Sequence, residues 1–192
     1  MSGPPSLQSF WMAGFEGADH RNGSGHPLDM VALTDHLDRL EADYARCARQ
    51  GLRSVRESIG WRLAEPSPGA YDFARLHRMA EVARRQGVQP LWTLMHYGMP
   101  DDLHVMHEDF VDRFAAFAAA VARELQPLHD DALPPIVTPV NEVSFVAWVL
   151  SETDNMAGGP PAAASWPMAR WPVRRAAAMP SSAGWSKPRW PP

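Results

Sequence analysis

The sequence is poor in cysteine and lysine. Its 192 residues include one cysteine, Cys47, and one lysine, Lys187. A lone cysteine closes no intramolecular disulfide, so a disulfide-stapled scaffold is excluded. No apolar run approaches the ~18 residues that a membrane-crossing helix needs. Met1 to Gln8 holds neither the basic segment nor the apolar core of a secretory leader. Positive charge is also short, with 18 Lys+Arg against 22 Asp+Glu and a formal net charge of −4. That balance gives no electrostatic reason to expect nucleic acid or an anionic membrane as a partner. A soluble, cytoplasmic protein is the expectation. No G-x-G-x-x-G follows the first apolar segment, and no G-x-S-x-G or H-E-x-x-H occurs. No cofactor or metal is expected.

What is present is unevenly spread. Thr153 to Pro192 holds 8 of the 19 prolines and 4 of the 8 tryptophans. It carries one acidic residue, Asp154, against five basic ones, so it is +4 while the preceding part is −8. No helical or strand period survives this proline spacing. Residues 1–152 therefore read as one domain and 153–192 as a Pro/Trp/Arg-rich tail. Two readings stay open for the tail: an extended interaction segment that recruits a partner, or an out-of-frame stretch. The break falls in mid-pattern, which favours the second.

Before the break the chain repeats a strand-and-helix unit. Gln8–Glu16, Leu52–Glu57, Val88–Met95 and Pro135–Val140 read as strands. Leu33, Leu37, Leu40, Tyr44 and Cys47 recur at three- and four-residue steps, as one helix face does, and Gly51 is placed to end it. Cys47 thus belongs to the core. Phe73 to Ala83 and Phe110 to Leu125 give two further helices, Gly87 closing the former, and Ser144–Leu150 starts another. Arg-Gln-Gly followed by an aliphatic residue stands at both 49–52 and 85–88. Alternating strands and helices imply a parallel sheet, either doubly wound or a barrel.

In either architecture the site forms at the C-terminal ends of the strands. Those ends carry Glu16, Asp19 and His20; Arg56, Glu57 and Trp61; His96, Tyr97, Asp101 and Asp102; and Asn141 with Glu142. Four successive ends with charged or imidazole groups point to one shared polar mouth. If His96 faces that mouth, strand alternation sets Leu94 and Trp92 beside it. His20, His26 and His36 read as solvated, and His104 and His107 with Glu108 lack a third metal ligand at fixed spacing.

Four of these segments carry a resemblance. Thr138-Pro139-Val140-Asn141-Glu142 resembles the Asn-Glu motif of the fourth strand in glycoside hydrolase family 1. Arg56 with Trp61, followed by Glu65-Pro66-Ser67-Pro68-Gly69-Ala70-Tyr71-Asp72-Phe73, is similar to that family's second strand and following loop. Leu94 to Pro100 resembles its third-strand motif, and Gly14-Phe15-Glu16-Gly17-Ala18 its first. Gly14 stands where the family has a sugar-binding Gln. The resemblance implies a TIM (β/α)8 barrel, a glycoside substrate and retaining hydrolysis, for which two carboxyl groups flank the scissile bond. It implies Glu142 as acid/base, with Asn141 on the sugar 2-hydroxyl and Arg56 holding the nucleophile ionised. It implies His96 on a sugar hydroxyl. Trp61 would be a sugar platform or a packing residue, packing being favoured, and Glu16 a sugar contact or a partner in a loop salt bridge.

Length then bears on mechanism. The chain is short of the ~250 residues of an ordinary closed barrel. Its units begin near residues 10, 52, 88 and 135, so eight would need well over 300. The family's nucleophile lies on the seventh strand, and no Asp or Glu follows Asp154. The expectation is the N-terminal half of a barrel, about four βα units, inactive alone. Other expectations are a non-catalytic sugar-binding half barrel, or an interaction protein acting through the tail. A homodimer of half barrels would cover the open strand edges.

Overall fold

A computed structural model describes residues 7–128 and 134–157, all within one compact unit, Met1–Pro160. The tail expected from 153 onward lies outside the described residues beyond 157. Four strands form one sheet: β1 (Met12–Gly14), β2 (Ser54–Ser58), β3 (Gln89–Met95) and β4 (Ile136–Val140). They lie in the order β1-β2-β3-β4 and every pair is parallel. The order never reverses, so the winding is that of a barrel and not of a doubly wound sheet. Four parallel strands alternating with helices is the α/β architecture the spacing predicts. β1 is shorter than expected, because the chain before Met12 does not pair with Ser54's strand.

Helices α1 (Met30–Leu33), α2 (His36–Arg49), α3 (Trp61–Ala64), α4 (Ala74–Gln86), α5 (Phe110–Leu125) and α6 (Val143–Glu152), with a 3-10 turn at Gln126–Leu128, complete the described elements. The first periodic face breaks in two. Asp35 sits at φ +55°, between α1 and α2, and Leu33 is left exposed. Gly51 (φ +78°) and Gly87 (φ +64°) take the left-handed conformation expected where helices end.

Register assigns the two faces of the sheet. Paired residues of parallel strands share a face, and Arg56 pairs with Leu91 while Glu57 pairs with Trp92. Arg56, Ser58, Leu91, Thr93 and Met95 therefore form the inner face. Val55, Glu57, Trp92 and Leu94 face the helices. There they meet Leu40, Tyr44 and Cys47 of α2, Leu76, Met79 and Ala83 of α4, and Phe117, Val121 and Leu125 of α5. All of these are buried, Cys47 among them.

Three sequence expectations are corrected here. Trp92 and Leu94 are core residues on the helix side, because the strand ends at Met95 and alternation does not extend to His96. Glu57 also points away from the mouth. It is 1% exposed and accepts hydrogen bonds from Tyr44 Oη (2.6 Å) and His36 Nε2 (3.0 Å). His36, expected to be solvated, is 2% exposed, stacked on Phe15 and paired with Asp43 through Nδ1 at 2.9 Å. A buried carboxylate beside an imidazole favours the charged ring, so His36 is held above its ordinary value although burial works against it.

Candidate active site

The C-terminal strand ends gather Glu16, Arg56, His96, Tyr97, Asn141 and Glu142 at one mouth. β2 delivers Arg56, half-buried on the inner face. Its Nε donates to Thr93 Oγ1 on the neighbouring strand (3.1 Å) and its Nη2 to Asn141 Oδ1 (2.6 Å). Among the described residues Arg56 forms no salt bridge, so its contacts here are a hydroxyl and an amide.

Asn141 follows β4, is 7% exposed, and is tied to β3 by its N–H on the Met95 carbonyl at 2.9 Å. Glu142 is exposed and adopts φ +45°, a left-handed backbone that non-glycine residues seldom take. Its Oε2 accepts a 2.6 Å hydrogen bond from Tyr97 Oη. Tyr97 is likewise left-handed, at φ +73°. Burial first, and then Glu142, push the Tyr97 phenol up to about 12.

His96 is buried. Its Nδ1 shares a 2.8 Å hydrogen bond with Ser58 Oγ, and its Nε2 lies 3.8 Å from Glu16 Oε1. Burial pushes the imidazole below its ordinary value, against the pull of Glu16. His20 lies edge-on to Tyr97 and is lowered for the same reason, so it is not the fully solvated residue expected. Glu16 remains half-exposed at the mouth and accepts the Ala18 N–H at 3.0 Å.

Trp61 is elsewhere. It is fully buried, packed against Phe110, Phe114 and Phe117, and its Nε1 donates to Glu65 Oε2 at 2.6 Å. No ring face is open to a sugar, so of the two expectations the structure carries packing. Gly14 faces Arg56, and a Cβ there would sit at an ordinary 3.7 Å from Arg56 Cβ. His104 and His107 lie edge-on at 5.5 Å, and among the described residues no group of three or more ligating side chains could hold a metal.

Comparison with known proteins follows this geometry. No protein-family model matches the chain. β-Glucosidase 6 of Oryza sativa subsp. japonica is 28% identical, with 57% of this chain and 26% of that protein covered. The chain is β-glucosidase-like, of the glycoside hydrolase family 1 type. It spans about a quarter of that curated relative. Solved structures agree on the fold. The AHE enzyme of Alicyclobacillus herbarius superposes with a TM-score of 0.60 at 21% identity, covering 80% of this chain and 41% of that one. A rice β-glucosidase gives 0.57 at 19% identity, covering 76% and 35%. The family 1 β-glucosidase of Thermotoga maritima gives 0.51 at 21% identity, covering 60% and 27%. This β-glucosidase-like chain therefore matches part of a TIM barrel.

Sequence reasoning placed Tyr97 at the mouth without a partner, and missed Ser58 and Thr93. Ser58 and Thr93 are adjacent in register, one step from Arg56, but register is a tertiary fact. Tyr97 was visible as the residue after His96. Its partnership with Glu142 depends on two left-handed backbones that side-chain patterning does not reveal.

Proposed function

We propose that residues 7–157 carry the acid/base side of a retaining β-glycosidase centre acting on β-glucoside-type substrates. The observation that supports this most is the convergence of Arg56, Asn141 and Glu142 from β2 and the end of β4, linked by the Arg56–Asn141 hydrogen bond. In this reading Glu142 delivers a proton to the departing glycosidic oxygen and later takes one from water. Asn141 meets the sugar 2-hydroxyl, a contact that strengthens at the transition state. His96 offers Nε2 to a sugar hydroxyl, and its lowered ionisation keeps it a neutral ring near pH 7. Glu16 faces the substrate from β1.

Retention needs a nucleophilic carboxylate opposite the acid. The family resemblance assigns it to a seventh strand, and no Asp or Glu follows Asp154 in this sequence. A polypeptide of this sequence alone is accordingly proposed to bind glycosides without turning them over. Its open strand edges are proposed to be covered by a second copy.

The test is an assay of the purified chain and of Glu142→Gln on an aryl β-glucoside, beside amide chemical-shift mapping with the same compound. The expected result is no hydrolysis above background in either protein, with shifts at His96 and Asn141. Turnover in the wild type that Glu142→Gln removes would overturn the inactive reading. An unchanged spectrum would overturn sugar binding.

A further inference from the structure

Two hydrogen-bonded links join four side chains at the mouth in pairs, Arg56 with Asn141 and Tyr97 with Glu142. Arg56 is fixed to Thr93 by its Nε and donates from Nη2 to Asn141 Oδ1 at 2.6 Å. Asn141 lies near enough to the Tyr97 phenol to ease its ionisation slightly. Tyr97 Oη donates to Glu142 Oε2 at 2.6 Å. A phenolic hydroxyl suits this place because it donates to the carboxylate. The Tyr97 ring has little freedom to swing: Phe145 lies 5.4 Å away, with His96 edge-on at 4.8 Å and His20 edge-on at 5.9 Å. Both ends of the last link, Tyr97 and Glu142, sit in left-handed backbone. Two adjoining non-glycine residues in that region are held there by their surroundings, and such strain gathers at functional sites.

We propose that Tyr97 is a positioning residue for Glu142: it pins Oε2 and leaves Oε1 as the oxygen that delivers the proton. The proposal rests on Glu142 being the acid/base group. Because the phenol ionises only at about 12, it remains a donor throughout the neutral range.

The test uses the full chain with labelled glutamate and tyrosine side chains, followed by NMR. In the wild type, the three-bond couplings of Glu142 should report a single χ1 rotamer. In Tyr97→Phe, which keeps the ring and its packing, they should average over several rotamers while the remaining amide spectrum is retained. Independently, Glu142→Gln should bring the Tyr97 ionisation down from about 12 toward the ordinary tyrosine range, without moving Tyr71. Couplings unchanged in Tyr97→Phe, or a Tyr97 ionisation unmoved in Glu142→Gln, would overturn the proposal. If Tyr97→Phe fails to fold, the Glu142→Gln titration decides alone. Titration with an aryl β-glucoside separates this from the glycosidase reading. Absence of sugar-induced shifts would sink that reading and leave the coupling result standing.

Discussion

At the scale of single residues, burial decides which polar groups the protein must accommodate. Asp19 is 1% exposed, and neither of its carboxyl oxygens has a hydrogen-bond partner. The Gly98 and Arg62 amides lie near enough to favour its charge but do not meet it in hydrogen-bond geometry. Burial dominates and pushes the carboxyl up to about 7. Gly98 makes room for it, since a Cβ there would come within 2.5 Å of Asp19 Oδ1. The folded state therefore holds this proton more tightly than the unfolded chain does. The resulting stability is full below the unfolded value near 3.8 and is lost as pH rises to about 7. Asp19→Asn removes that loss, so its stability relative to wild type should grow between about pH 4 and pH 7, by a few kcal/mol at most. Denaturant melts of both proteins across that window check it, and a constant difference would contradict it. Trp61 gives the opposite kind of prediction. It is fully buried among three phenylalanines, so Trp61→Ala should cost about 3–5 kcal/mol in urea unfolding. The site amides should keep their response to sugar at temperatures where the variant stays folded.

At the scale of elements, the contact between β2 and α2 shows why part of the molecule was legible and part was not. The strand ends identified Arg56, His96, Asn141 and Glu142, because a parallel sheet with crossover helices places its C-terminal ends together whatever the loops do. The same rule assigned Glu57 to the mouth and missed its true side. Val55 and Glu57 share a face by alternation, and Val55 is the core residue that fixes which face it is. His36 was hidden by its neighbours, since Asp35 and Asp38 make a local window that looks solvated. Its burial follows from the Asp35 break, which turns α2 so that His36 stacks on Phe15 over Glu57. This junction carries its own pH signature. His36 is raised in the folded state, so its contribution is full below about 6.5 and is lost as pH rises through the folded value. Glu57→Gln should therefore cost most at pH 6, and its cost should shrink toward pH 9. Unfolding free energies of the two proteins at both pH values test this, and a cost that is flat with pH would show that the pair does not carry the charge.

At the scale of the whole molecule, the sheet has two open edges among the described residues. β1 pairs only with β2, and β4 only with β3. Apolar groups crowd both edges. Phe10 is 87% exposed and Trp11 73% on the β1 side, while Trp148 is 52% exposed beside Val143 and Phe145 on α6, which follows β4. Exposed aromatics next to unpaired strands invite pairing with another chain. Four strands in barrel order are half of eight, so two copies related by a two-fold axis would set β4 of each against β1 of the other and leave no edge open. Setting β4 of each copy on β1 of the other continues the parallel order, and closure requires both contacts at once. A single charge placed in one edge therefore acts twice in the dimer. Trp11→Glu should shift the chain from a particle of twice the chain mass to a monomer, as read by light scattering after size exclusion at tens of micromolar. The monomer should bind a hydrophobic dye more strongly, because both edges are then uncovered. A wild type that is monomeric at that concentration would leave the edges to some other partner and would contradict closure by a second copy.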